Sequence, residues 1–189
     1  MSGDRGSAIV VGGSLVGLPL AIALAQRGVA VTVLEQTGRD ERGGAGLGVE
    51  RGLYAQLTGV DPRRSDVVPA MPVIRTSRET STWYAIRSWL LAVIALTPGI
   101  EIREGRRVLE VHQQGTRALA VTAEGPLEAD VVLGADGYRS IVRAAVDPQR
   151  PHARFGGFVL WRGLPHEAWL PPTMWHVHGL GGGPPPLPR

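Results

Sequence analysis

The chain has 189 residues, a formal charge of +3, 26 glycines and 15 prolines, and it lacks lysine, cysteine and asparagine. All 20 basic residues are arginines interleaved with 17 acidic residues, so the high isoelectric point does not indicate nucleic-acid binding. The missing cysteines exclude disulfides, iron–sulfur clusters and thiol nucleophiles, and the missing lysines exclude a P-loop lysine and a Schiff base.

The N-terminal part of the chain predicts a βαβ unit. A buried strand over 7–11 leads through a glycine-rich turn into a helix over 15–27, and a second buried strand over 29–34 ends at Glu35. A signal peptide is the alternative interpretation of this apolar stretch. Because Asp4 cancels Arg5 and glycines interrupt the run, we instead expect a cytoplasmic protein with no membrane span.

The rest of the chain predicts alternating helices and short strands. Residues 36–48 and 61–72 predict connections, and Ser81 or Thr82 is positioned to cap a helix. The predicted helices are, in order, 49–57, 83–96 and 139–145. The predicted strands are 73–75, 100–103, 106–112, 117–122, 127–133 and 155–161.

The turn after the first strand has the frame of the dinucleotide fingerprint G-x-G-x-x-G, with a serine in place of the second glycine. The small residues let the backbone approach a pyrophosphate, and the following helix directs its N-terminus at the phosphates. Glu35, at the end of the second strand, is positioned to bind ribose hydroxyls, which favours FAD or NAD over NADP. The candidate cofactor-binding residues of this unit are Gly12, Gly13, Ser14, Leu15, Gly17 and Glu35.

A second motif follows the predicted strand that ends near Leu133. It consists of Asp136-Gly137 and a helix start that carries Ser140 and Arg143. An Asp-Gly pair alone indicates only a turn. Combined with the first fingerprint, however, the segment resembles the Asp-Gly-x-x-Ser-x-x-Arg motif of the FAD-dependent aromatic hydroxylases of the para-hydroxybenzoate hydroxylase type.

This resemblance covers roughly residues 7–175 and implies an α/β fold. The implied architecture is a Rossmann-like FAD-binding domain with a parallel sheet, a β-meander and the start of a β-rich substrate domain. It assigns the second motif to the FAD pyrophosphate and to NAD(P)H use. It also adds Arg42, Gly46, Arg87 and Val108 as candidate FAD contacts, although a surface arginine and a core valine explain the last two equally well.

The resemblance also divides the chain into domains. We expect a discontinuous FAD-binding domain over 1–60 and 83–148, a partial substrate domain over 61–82 and 149–178, and a disordered tail over 179–189. The family's third motif, a Gly-Asp pair far along the chain, has no counterpart here, since Gly-Asp occurs only at Gly3-Asp4. We therefore expect a C-terminally truncated member of the family.

The resemblance implies an FAD-binding oxidoreductase that uses NAD(P)H and O₂ to hydroxylate an aromatic or similar small molecule, with no nucleic-acid or membrane partner. Because the flavin supplies the chemistry, no catalytic acid or base is assigned. His176 and His178 have a spacing that allows chelation, but no matching carboxylate or cysteine accompanies them, and no metal site is expected. The alternatives are a single-domain NAD-binding oxidoreductase and an inactive fragment.

Overall fold

The computed structural model describes residues 6–38, 46–64, 66–75 and 79–157. The predictions for Arg42 and for the tail over 179–189 lie outside these residues. The chain divides into two compact units, Met1–Ala153 and Arg154–Arg189. In the second unit, residues 155–157 are not a strand, contrary to the prediction for 155–161, because Gly157 has a φ of 89°, outside the β region. The remainder of that predicted strand lies outside the described residues.

The first unit contains strands and helices in an alternating order. The helices are α1 (Gly17–Ala25), α2 (Arg51–Thr58), α3 (Trp83–Ala95) and α4 (Ile141–Val146), with a 3-10 turn over Gly137–Arg139 before α4. The strands are β1 (Ser7–Val11), β2 (Ala30–Glu35), β3 (Gly46–Gly48), β4 (Ile74–Arg75), β5 (Glu79–Thr82), β6 (Ile100–Glu104), β7 (Val108–Gln114), β8 (Arg117–Thr122), β9 (Gly125–Ala129) and β10 (Val131–Gly134). Among the described residues, no helix is long and apolar enough to span a membrane.

The central sheet is parallel, with the strand order β10-β1-β2-β6. The inner strands β1 and β2 are largely apolar on both faces, as expected for a sheet covered on both sides, whereas the edge strand β6 alternates apolar and charged residues. Val10 and Val33 face a core shared with α1 and α3, whereas Val11 and Leu34 face a second core shared with β7 and α4. The parallel α/β arrangement predicted from the sequence is confirmed.

Two antiparallel sheets accompany the parallel sheet among the described residues of this unit. Strands β7, β8 and β9 form the predicted meander, and β3, β5 and β4 form a small second sheet. The sequence did not predict β3 or β5, because β3 falls within a glycine-rich loop and β5 consists of polar residues. Val68 and Met71 are buried in the same core as α1, so the segment 61–82 shares that core with the predicted FAD-binding domain. The division of the whole protein into domains stays a prediction.

The predicted strand over 127–133 is wrong as a single strand, because the chain changes sheets at Asp130. Strand β9 pairs with β8 in the meander, whereas β10 pairs with β1 in the parallel sheet. The Asp130 carboxylate accepts hydrogen bonds from the backbone N–H of Ser7, at 2.6 Å, and from the Ser7 hydroxyl, at 2.9 Å. Arg117 forms an ion pair with the same carboxylate. A strand pattern alone does not reveal such a junction.

Replacing Asp130 by asparagine is expected to remove an acid-sensitive contribution to stability. The hydrogen bonds from Ser7 hold the pKa of the Asp130 carboxyl below its ordinary value of 3.8, and Arg117 acts in the same direction. Because this pKa is lower in the folded state, the contribution is present above about pH 4 and is lost as the pH falls through the folded-state pKa. Urea unfolding of wild type and D130N from about pH 7 to about pH 2 measures it.

The difference in unfolding free energy between the two proteins should be largest near neutral pH and should shrink on acidification. D66N is a suitable control, because Asp66 is exposed. A wild-type to D130N difference that stays constant over this range would contradict the assignment.

Candidate functional site

Two positions in the turn between β1 and α1 require glycine. Gly12 has a φ of 105°, and a Cβ atom there would overlap the carbonyl oxygen of Ala135. A Cβ atom on Gly17 would overlap the carbonyl oxygen of Gly12. The Gly12 N–H donates to the carbonyl of Leu34 at 2.8 Å, which fixes the turn against β2. The fingerprint glycines therefore let the turn pack closely against the backbone at Ala135, at the start of α1 and at the end of β2.

Helix α1 presents its N-terminus at this turn. No side-chain hydrogen bond caps it within the described chain. The Leu18 N–H donates to the carbonyl of Ser14 and Pro19 has no N–H, whereas the helix dipole favours negative charge at this end. The turn and the uncapped helix start together form an arrangement suited to a phosphate.

Within the described part of the chain, the buried carboxylate of Glu35 accepts three hydrogen bonds. One oxygen, Oε2, accepts from the backbone N–H of Gly13 at 2.6 Å. The other, Oε1, accepts from the backbone N–H and the hydroxyl of Thr37 at 2.9 and 2.7 Å. A carboxylate has about four acceptor positions, so Glu35 keeps capacity for a ligand hydroxyl while it holds the glycine turn.

The first turn of α3 holds the other side of the glycine turn. The Thr82 side chain caps α3 by accepting from the N–H of Ala85 at 3.1 Å, as predicted for this position. Arg87, which is 8% exposed, donates from Nε to the carbonyl of Gly13 at 3.0 Å. The indole Nε1 of Trp83 donates to the Ser14 hydroxyl at 3.0 Å. Gly13 is therefore held at its N–H by Glu35 and at its carbonyl by Arg87.

The Asp-Gly motif forms a closed turn that begins α4. The Asp136 carboxylate accepts from the Ser140 hydroxyl at 2.6 Å and from the N–H of Ile141 at 2.7 Å. The Ser140 hydroxyl in turn accepts from the N–H of Arg143 at 2.9 Å. Arg143 donates to the carbonyls of Tyr138 and Gly137 at 3.0 and 3.2 Å. The polar residues of this motif thus stabilise the turn itself.

A cleft of about 680 Å³ lies where these segments meet, at the carboxyl ends of β1, β2 and β10. Its volume is within the range of about 300–1,000 Å³ typical of small-molecule sites. Of the predicted cofactor-binding residues, the cleft is lined by Gly12, Ser14, Leu15, Glu35, Arg87, Val108, Asp136 and Gly137. The predicted residues that do not line it are Gly13, Gly17, Ser140, Arg143 and Gly46.

Several residues of this cleft were not predicted from the sequence. Trp83, Arg106, Arg107 and Arg139 line it. Arg106 pairs with Glu124, whereas Arg139 stacks on the Tyr138 ring at 5.2 Å. Two of these residues could have been identified from the sequence. Arg107 directly precedes the candidate Val108, and Trp83 lies one helical turn before the candidate Arg87.

Comparison with known proteins gives the following relationships. No family model matches the chain. The FAD-dependent monooxygenase ntnJ of Nectria sp is 30% identical over 159 aligned positions, covering 74% of this chain and 38% of that protein. The 3-amino-4-hydroxybenzoate 2-monooxygenase of Streptomyces cremeus is 27% identical, and the alignment covers 86% of this chain and 47% of that protein. The 3-hydroxybenzoate 6-hydroxylase of Klebsiella oxytoca is also 27% identical, and the alignment covers 90% of this chain and 52% of that protein.

Solved structures agree with the fold. AlpK is 25% identical with a TM-score of 0.60, over 75% of this chain and 33% of that one. CtdE in complex with FAD is 20% identical with a TM-score of 0.60, over 75% of this chain and 41% of that one. The resemblance to FAD-dependent monooxygenases is therefore confirmed. The chain spans about half or less of the length of the curated relatives it matches.

Proposed function

We propose, from its homology to FAD-dependent monooxygenases, that this chain binds FAD and forms the FAD-binding part of such an enzyme. The observation that carries the proposal is the cleft in which the glycine turn, Glu35 and the Asp136 turn meet. Open α/β sheets bind nucleotides at the carboxyl ends of their strands, where this cleft lies.

The residues around the cleft fit the adenosine and pyrophosphate part of FAD. Glu35 would accept a hydrogen bond from a ribose hydroxyl through its remaining acceptor position. The glycine turn and the start of α1 would bind the pyrophosphate, because no Cβ atom or capping side chain fills that space. Gly12 and Gly17 would keep the backbone close enough to the phosphates, while Arg87 holds the turn in shape.

The reaction we propose is the hydroxylation of a small aromatic molecule with electrons from NADH or NADPH. Bound flavin supplies the electron transfer and the oxygen activation, and the residues described here bind and orient it. Two relatives are named for monooxygenation of substituted benzoates, and we extend that substrate class to this chain. A cytoplasmic location and the use of NAD(P)H stay predictions from the sequence.

Titration of the purified chain with FAD tests this proposal. Binding should quench flavin fluorescence with a single-site curve, and excess ADP should displace FAD because both would use the adenosine and pyrophosphate site. NAD should compete no better than ADP. A chain that binds neither FAD nor ADP would contradict the proposal, and NAD binding without FAD binding would favour the single-domain NAD-binding alternative.

Replacing Glu35 by glutamine should shift the ribose preference of the site. The carboxylate disfavours a 2′-phosphate by like-charge repulsion, which the neutral amide lacks. We expect the affinity for ADP to fall, and the affinity for 2′-phospho-ADP relative to ADP to rise about tenfold. Isothermal titration with both nucleotides measures this ratio.

E110Q is a control for this substitution, because Glu110 is an exposed glutamate of β7 that does not line the cleft. An unchanged ratio in E35Q would place the ribose away from Glu35.

A further inference from the structure

We infer that the Ser14 hydroxyl donates a hydrogen bond to a phosphate of the bound nucleotide, and that Trp83 is the residue that positions it. This inference rests on the proposed function and refines it. Ser14 stands where the dinucleotide fingerprint has its second glycine, so its side chain is an addition to the general pattern. Both Ser14 and Trp83 line the cleft.

The chemistry of the two groups fixes the direction of their hydrogen bond. An indole N–H is a donor only, whereas a hydroxyl has one donor hydrogen and two acceptor lone pairs. Trp83 therefore donates to Ser14, and the 3.0 Å contact occupies an acceptor position of the hydroxyl. The donor hydrogen of Ser14 has no acceptor within the described part of the chain.

The position of Ser14 indicates the group that its hydrogen would meet. Its carbonyl accepts from the N–H of Leu18 at 3.0 Å, which places Ser14 one turn before the body of α1. This end of α1 is uncapped and favours an anion. We assign the ribose to Glu35, which accepts a hydrogen bond from Gly13, the residue before Ser14. A phosphate beside α1 is therefore the acceptor that best fits the Ser14 hydroxyl.

Trp83 is held in place by contacts that do not involve a ligand. It is the first residue of α3, directly after the capping residue Thr82. The guanidinium of Arg87 lies 5.8 Å from its ring centroid, a cation–π distance. Arg87 is itself fixed by the Gly13 carbonyl and by Glu104, whose Oε1 is 3.6 Å from the guanidinium. The indole therefore orients the Ser14 hydroxyl before a nucleotide arrives, which reduces the entropy that binding would cost.

Binding of ADP and of adenosine to S14A, W83F and the double variant tests the inference. A hydrogen bond to a charged group predicts that S14A binds ADP and FAD roughly tenfold more weakly. Its affinity for adenosine, which has no phosphate, should not change. W83F should weaken ADP binding about threefold in the presence of Ser14 and should have no further effect in S14A. Thermal unfolding of each variant shows whether it is folded.

Two control variants on α3 match these substitutions in residue type. S88A removes an exposed serine hydroxyl of α3, and Y84F changes the exposed aromatic residue next to Trp83. Neither residue lines the cleft, so both variants should bind ADP like the wild type. The Trp83 indole N–H resonance, identified by its loss in W83F, provides a second readout and should move in unliganded S14A.

The outcomes separate this inference from the proposed function. If the wild type binds ADP but S14A weakens the binding of adenosine as much as that of ADP, the phosphate contact alone would be overturned. Additive effects of S14A and W83F would overturn the role of Trp83. A wild type that binds neither ADP nor FAD would overturn the proposed function and this inference together.

Discussion

Replacing Gly17 by alanine is expected to lower the affinity for FAD by about a hundredfold or more. The new Cβ atom would overlap the carbonyl oxygen of Gly12, a backbone atom that cannot rotate away as a side chain can. Either α1 or the glycine turn must shift, and the turn holds the Gly13 and Ser14 groups that we assign to the pyrophosphate. Fluorescence titration with FAD measures the loss, and circular dichroism shows whether the fold persists.

A second glycine provides the matched control. Gly52 is exposed in α2, and a Cβ atom there would meet nothing within 4 Å. G52A should bind FAD normally and gain up to about 1 kcal/mol in stability, because alanine favours the helix. Normal FAD binding by G17A would show that the nucleotide does not depend on this turn.

Replacing Arg51 by alanine is expected to lower the free energy of unfolding by about 2 kcal/mol, the value for hydrogen bonds between charged groups. Arg51 is 7% exposed at the start of α2 and forms a two-pronged ion pair with Glu79 of β5. Its removal leaves the partly buried Glu79 without this guanidinium and separates α2 from the strand that leads into α3. Guanidinium or urea unfolding with a linear extrapolation measures the difference.

Arg63 offers a comparison of the same residue type. Its contact with Asp61 is 3.9 Å long and both side chains are about half exposed. R63A should change the free energy of unfolding by about 0.5 kcal/mol or less, as is typical of surface ion pairs. Equal effects of R51A and R63A would contradict the role assigned to the pair of Arg51 and Glu79.

The sequence was sufficient for the parts of the fold that depend on local pattern. Apolar runs predicted β1 and β2, and Thr82 followed by apolar residues at helical spacing predicted the start of α3. The glycine spacing and Glu35 predicted one wall of the cleft, because a βαβ unit brings the turn and the end of the second strand together.

The sequence was insufficient where long-range contacts decide the structure. Nothing in residues 127–133 shows that Asp130 bonds to Ser7 and ends one sheet there. The contact of Trp83 with Ser14 joins residues 69 positions apart, and it depends on how α3 packs beside α1. Likewise, the sequence did not show that the side chains of the Asp-Gly motif hold their own turn. Asp136 and Gly137 also line the cleft, and their contact with a cofactor stays a prediction.

The pairing of β1 with β10 determines when the cleft can fold during synthesis of the chain. Residues that meet there, such as Ser7 and Asp130, are 123 positions apart, so the two walls of the cleft are synthesised far apart in time. During translation, the glycine turn would emerge long before Ala135 and Asp136 can pack against it. The nascent chain therefore exposes one side of β1 until β10 leaves the ribosome, and non-local pairings of this kind form slowly. Nucleotide capture would accordingly be a late event in biosynthesis.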